Sequence, residues 1–255
     1  GDGAGEDWHR HLVCPRGDCG MMRQTMAAAQ QQGGGGGGPT VYVEEDFTAT
    51  TTGDLTTNNL AVDELGGGWV ASASDFAYSA DGSGVECASA TGNRFTKIQT
   101  DGREDVRVTC TWVTNRNGNG QYWQGFCFRS GGGTSTTDSL YVRMVNAAAD
   151  GNLELKDNTT TLITWDLSVL LGAAVVSGDH LVVVFDCLGN DITLVSVDVN
   201  GAGPTAVNDT YTLTSGRATN HGAGSGADYY GLYSNERSAS STERFEYFKV
   251  ESIPA

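Results

Sequence analysis

Between Asp179 and Gly201 the chain reads DHLVVVFDCLGNDITLVSVDVNG. Leu181, Val183, Phe185 and Cys187 alternate with Val182, Val184 and Asp186, the period of a strand that buries one face. Gly189, Asn190 and Asp191 break the run with turn chemistry. Ile192, Leu194, Val195, Val197 and Val199 make a second β-branched run, closed by Asn200-Gly201. Two such runs across a short Gly/Asn/Asp turn predict a β-hairpin. The hairpin is expected at the middle of a large antiparallel sandwich.

Shorter runs of the same kind start at Val41. Val41 to Phe47 reads as a first strand. Trp69 to Tyr78 and Gly84 to Ala90 read as a strand pair across Ala80-Asp81-Gly82. Asp105 to Thr114, Tyr122 to Arg129, Leu140 to Asn146, Asn152 to Asp157 and Thr161 to Leu167 continue a meander. Tyr211 to Thr214, Tyr229 to Ser234 and Arg244 to Ser252 follow the central hairpin. Only Leu167 to Val176 has the character of a short helix. About a dozen short strands at this spacing predict an all-β fold, an antiparallel two-sheet jelly-roll sandwich. The 36 glycines against four prolines suit the many turns that such a meander needs.

Residues 1–40 differ from the rest. Met22 to Gln32 has the Ala, Gln and Met content of a few helical turns. Gly33 to Gly38 is an unbroken run of glycine, followed by Pro39, which reads as a flexible tether. The expected division is an N-terminal arm with a Gly-rich tether, 1–40, and a β-sandwich, 41–255.

Acidic residues outnumber basic ones 31 to 15, for a formal net charge of −16. Such a surface argues against a nucleic-acid phosphate binder and against an anionic membrane surface, because neither finds counter-charge. No apolar run reaches the ~20 residues that span a bilayer. Cysteine phase is informative. Cys110 keeps step with Val106, Val108 and Trp112, Cys187 with Phe185, and Cys87 with Val85. These read as small buried hydrophobes rather than a disulfide framework. Cys127 is out of step with Phe126 and Phe128 and should face the other way. A Cys110–Cys127 bridge between neighbouring strands is the alternative.

Several groups offer chemistry. His9, His11, Cys14 and Cys19 supply two imidazoles and two thiols, a zinc-type ligand set. A Cys14–Cys19 bridge and an irregular arm with ordinary polar contacts are the competing readings. Arg16-Gly17-Asp18 reads as turn chemistry. Tyr122, Trp123, Tyr229 and Tyr230 are candidates for stacking on sugar rings, with burial in the core as the alternative; Trp69 and Trp112 are assigned to the core. Loop oxygens of Asp138, Asp150, Asn152, Asp157 and Asn158 suit calcium, though no loop has EF-hand spacing. No Ser/His/Asp arrangement stands out, so no catalytic residue is assigned.

The opening EEDF, a Thr/Asn loop and Gly68-Trp69 are similar to the first strands of the concanavalin A-like, laminin-G-like jelly-roll superfamily. WQGFCFR followed by LYVRMV resembles its central strands. HLVVVFDCLGNDITLVSVDVNG resembles its long hairpin, and YYGLYS with RFEYFKV its closing pair. The resemblance covers residues 41–253. It implies one of three settings: a glycan-binding module, a glycoside hydrolase, or a domain of phage and other virion surface proteins. The laminarinase-like branch carries an E-x-D-x-x-E strand that this chain lacks; Glu154 has only Asp157 nearby in sequence. Hydrolysis by paired carboxylates needs two of them ~5–9.5 Å apart about one bond.

The expected function is therefore a non-enzymatic virion structural protein, a capsid decoration or tail-associated protein. Its N-terminal arm would contact other virion subunits, its sandwich could adhere to glycans, and it would sit on a virion surface or outside cells. A carbohydrate-binding module of a secreted or cell-surface protein and a glycoside hydrolase are the alternatives.

Overall fold

A computed structural model describes residues 38–47, 53–55, 62–63, 69–71, 75–87, 92–114, 123–132, 139–145, 151–235 and 244–254. The fold reported is that of the unit Pro39–Ala255. The arm residues 1–37, with the candidate zinc ligands His9, His11, Cys14 and Cys19, lie outside the described residues.

Two antiparallel sheets form a sandwich. Sheet A contains β1 (Val41–Glu45), β2 (Gly53–Asp54), β3 (Val62–Asp63), β5 (Phe76–Tyr78), β6 (Val85–Cys87), β8 (Val106–Val113), β13 (His180–Leu188), β14 (Asp191–Val199), β15 (Thr205–Thr212) and β17 (Arg244–Ser252). Its order is β15-β14-β13-β8-β17-β6-β5-β2, with β1 also paired to β17 and to β3. Sheet B contains β4 (Val70–Ala71), β7 (Asn93–Gln99), β9 (Trp123–Ser130), β10 (Leu140–Val145), β11 (Asn152–Asp157), β12 (Thr160–Asp166) and β16 (Tyr229–Asn235), in the order β12-β11-β10-β9-β16-β7-β4.

The hairpin over 179–201 forms as β13 and β14, in register from Leu181↔Val199 to Leu188↔Asp191. Gly189 holds the two-residue turn with a φ of 58°, the left-handed conformation that tight hairpins demand. The hairpin is not the middle of its sheet. That place belongs to β8 and β17, which pair from Arg244↔Val113 to Ser252↔Val106. Trp69 to Tyr78 is not one strand either: β4 joins sheet B and β5 joins sheet A. The β5–β6 pairing across Ala80-Asp81-Gly82 forms as expected, with Phe76 opposite Cys87.

Alternation builds the core between the sheets. Val106, Val108, Cys110 and Trp112 of β8 point inward, as do Leu181, Val183, Phe185 and Cys187 of β13. Phe126 and Phe128 of β9 meet them from sheet B. Phe185 sits 5.8 Å from Phe126, 5.6 Å from Phe128 and 5.5 Å from Trp165, ring centre to ring centre. Burying one such side chain stabilises by about 1.5–3 kcal/mol, so this cluster is a principal tie between the sheets. Trp69 and Trp112 are core residues. Cys87, Cys110, Cys127 and Cys187 are all buried free thiols, so no Cys110–Cys127 bridge exists.

Two short helices are present among the described residues. Helix α1 (Leu167–Leu171) starts where Asp166 accepts a hydrogen bond from Val169 N at 3.1 Å. It stops at Gly172, in the left-handed region at φ 70°, short of the Val176 limit expected. Helix α2 (Ser215–His221) was not foreseen. Its sequence, SGRATNH, has no apolar stripe to announce it.

A buried arginine joins the sheets at one end. Arg129 is fully buried and adopts a φ of 45°. This kink breaks the alternation that carries Cys127 outward. The guanidinium donates to the Glu104 carbonyl from Nε at 3.0 Å and Nη2 at 2.9 Å, and to the Gly189 carbonyl at 2.5 Å. It also reaches Asp105 Oδ1 at 3.1 Å. Tyr230 OH donates to the Arg103 carbonyl at 3.0 Å in the same loop.

A buried acid lies where β1 meets the core. Glu45 shares the inward face of β1 with Val43 and is 3 % exposed. Its Oε1 accepts from Phe47 N at 3.1 Å, while Oε2 has no hydrogen-bond partner among the described residues. Burial pushes its carboxyl up to about 7; Asp46 adds to the shift and the Phe47 hydrogen bond opposes it.

Candidate functional site

The outward face of sheet B carries a second cluster, separate from the core. Register sets it out in rows across the strands. One row places Asn93, Asn235 and Trp123 side by side. The next runs Phe95, Tyr233, Gly125, Arg143 and Glu154. The third runs Lys97, Gly231, Cys127, Tyr141, Lys156 and Thr161. Cys127 thus faces away from Phe126 and Phe128, as its phase requires.

Glycine makes the close strand spacing of these rows possible. A Cβ on Gly125 would collide with the Val142 carbonyl, and one on Gly231 with the Thr96 carbonyl. Between the strands the aromatic rings interlock. Tyr141 and Tyr233 lie 4.6 Å apart and Phe95 and Tyr233 4.9 Å apart, all of them buried. Tyr141 OH donates to the Asn158 carbonyl at 2.8 Å, and Tyr233 OH to Asn93 Oδ1 at 2.7 Å. Burial raises both phenols above their ordinary range, so they act as neutral hydrogen-bonding groups.

Beside this base lies a polar corner in which Trp123 and Glu154 are half-buried and Arg143 and Lys156 are buried. Trp123 is half-buried and packs against the cluster. The Arg143 guanidinium stacks on the Trp123 ring, 3.6 Å from its centroid. Arg143 also grips Glu154 Oε2 from Nε at 3.0 Å and Nη2 at 2.8 Å. Lys156 Nζ donates to Thr161 Oγ1 at 2.7 Å and stands 4.0 Å from Glu154 Oε2. Burial holds the Lys156 ammonium below its usual value; Arg143 pushes the same way and Glu154 opposes. A flat indole beside ordered charged donors and an acceptor is an arrangement that can bind a polyhydroxylated ring.

The residues nominated from sequence scatter. Trp123 and Tyr229 share the outward face of sheet B, but six positions of β16 separate Tyr229 from the residue opposite Trp123, roughly 20 Å of strand. Tyr229 OH donates to Gln99 Oε1 at 3.2 Å. Tyr230 points inward and is fully buried, so it is a core residue and not a stacking surface. Tyr122, Asp138 and Asp150 lie outside the described residues. Asp157 is engaged by Arg217 at 2.8 Å and faces His221 at 3.6 Å. Among the described residues no group of three or more His, Cys, Asp or Glu could hold a metal ion. No helix among the described residues is long and apolar enough to cross a membrane.

Sequence reasoning missed Arg143 and Lys156. Arg143 is out of phase with Leu140, Val142 and Met144, and Glu154 with Leu153 and Leu155, so their outward direction was legible. Their meeting needed the β10–β11 register.

No family model and no curated protein matches the sequence. Solved structures do. A protein of unknown function from Shewanella oneidensis MR-1 superposes with a TM-score of 0.51 at 12% identity, over 91% of this chain and 95% of that one. Weaker likenesses include the carbohydrate-binding module CBM66 from Bacillus subtilis, with a TM-score of 0.48, 10% identity and coverage of 72% and 95%. The CBM2 module of the evolved Dit of Lactobacillus casei BL23 phage J-1 gives 0.47, 12% identity and coverage of 85% and 97%. At 12% identity the first of these likenesses speaks for the fold alone.

Proposed function

We propose that this chain is a non-enzymatic glycan-binding β-sandwich, displayed on a virion or another extracellular surface through its first forty residues. The observation that carries the binding reading is the corner of sheet B where Arg143 stacks on Trp123 while holding Glu154. Arg143 covers one face of the half-buried indole, so a sugar ring would meet the part of it that Arg143 leaves open. Arg143, Glu154 and Lys156 offer fixed donors and an acceptor around it. Glu154 is bound by two cations, Arg143 and Lys156, which suits recognition of hydroxyl groups better than proton transfer.

The test is a glycan array followed by calorimetric titration of the best binder. Trp123→Ala should weaken binding at least tenfold, about 1.4 kcal/mol, with the urea unfolding midpoint recorded beside it. Full binding by a folded Trp123→Ala protein would remove this site. Release of reducing ends from the bound glycan would overturn the non-enzymatic reading. Surface display is tested by deleting residues 1–38, which should abolish association with particles while glycan binding persists.

A further inference from the structure

We infer that the outward face of sheet B takes an anionic saccharide, with Lys156 and Arg143 meeting its negative charge; this rests on the glycan-binding reading above. The protein carries a formal net charge of −16, yet this one face gathers three cations, Lys97, Arg143 and Lys156. All three are nearly buried, at 1 %, 9 % and 6 % exposure. Glu154 is the carboxylate that the structure pairs with both Arg143 and Lys156. One negative charge is therefore shared between two positive ones.

Lys156 shows where a second anion would go. An ammonium carries three N–H donors. Lys156 spends one on Thr161 Oγ1, and Glu154 at 4.0 Å is beyond hydrogen-bond range. The other two are not spent among the described residues. Burial and the neighbouring Arg143 already disfavour this ammonium. A ligand carboxylate or sulfate beside it would supply the missing acceptor and offset both effects. A neutral sugar would leave the same donors with weaker partners. Thr161 is exposed, so the Lys156 end of the row opens at the edge of the sheet, next to the outermost strand β12. Trp123, on β9, lies two strands across and four residues along from Lys156, on β11, about 10 Å by about 13 Å at the usual spacings, a span that one saccharide chain could bridge.

The experiment is calorimetric titration of the full chain with oligogalacturonate as the free acid and as its methyl ester. A sulfated oligosaccharide and a neutral glucan oligomer complete the set. The free acid, the sulfated ligand or both should bind at least tenfold more tightly than the uncharged ligands. Lys156→Met should erase that preference, weakening the free acid and the sulfated ligand at least tenfold more than it weakens the ester, and Lys156→Arg should retain it. Equal affinity for acid, ester and neutral glucan, with binding still lost in Trp123→Ala, would overturn the anionic specificity and leave glycan binding standing. Binding of none of these saccharides would sink both. Should Lys156→Met fail to fold, the acid-against-ester comparison on the unmodified chain still decides the matter.

Discussion

His221 Nδ1 lies 2.7 Å from the backbone carbonyl of Arg129, while the Arg129 guanidinium reaches the backbone carbonyl of His221 at 3.4 Å. Because a carbonyl only accepts, Nδ1 must carry a proton. Each residue thus satisfies a main-chain group of the other. Through them β9 of sheet B, helix α2 and the β13–β14 turn of sheet A are locked at one end of the sandwich.

Arg129→Met keeps much of the side-chain volume and removes every donor. The Glu104 and Gly189 carbonyls then lose a charge-assisted hydrogen bond and keep only the longer ones from Tyr230 OH at 3.3 Å and Ala223 N at 3.2 Å, at about 1.5–3 kcal/mol for each bond lost. The variant should lose roughly 3 kcal/mol or more in urea unfolding, well beyond an ordinary surface substitution. Loss of less than about 1 kcal/mol would show that water replaces the guanidinium freely.

Gly125→Ala and Gly231→Ala each set a methyl group against the main chain of the next strand, which no rotamer change relieves. Each should cost about 1–3 kcal/mol or more, and glycan binding should weaken with the distortion of the sheet. Gly172→Ala is the control: a Cβ there meets nothing within 4 Å, so only the cost of its positive φ remains. Denaturation midpoints of the three variants should therefore rank with Gly172→Ala the mildest.

Glu45 should make stability fall as the pH rises. Its folded carboxyl titrates at about 7, while the unfolded one keeps the ordinary 4.5. Between these values the folded state binds the extra proton. Stability therefore declines across roughly pH 4.5 to 7, by on the order of 3 kcal/mol from this group, and is flat above. Glu45→Gln keeps the acceptor for Phe47 N and cannot ionise. Urea unfolding at pH 5, 6, 7 and 8 should show its advantage over the parent growing with pH. An advantage that stays constant would show that Glu45 titrates normally.

Period-two alternation carried most of the architecture. It placed β13, β14, β8 and β17, and it told Cys127 from Cys110 because successive residues of a strand face opposite sides and one side of sheet B meets the core between the sheets. It failed where a residue left its strand's rhythm. Arg129 follows Phe128 in an otherwise alternating run, and only its positive φ turns it toward Gly189. Tyr230 and Tyr229 are adjacent in a run of aromatic and small residues, so phase alone did not say which one faces out. Residues 69–78 read as one strand, because nothing in their composition marks the crossing between sheets. Trp123 was legible as a surface aromatic. Its partner Arg143 was not, because their contact is diagonal and depends on how β9 and β10 slide against each other.

The order of the strands has a consequence for synthesis. β16 and β17 are the last two strands along the chain, yet β16 lies between β9 and β7, and β17 between β8 and the β1 and β6 strands. As the chain emerges from the ribosome, each sheet therefore waits as two halves with open, hydrogen-bond-hungry margins facing a gap. Neither half can be finished by its neighbours in sequence. A translation product cut short before residue 229 should be a sticky, chaperone-dependent species rather than a smaller working protein.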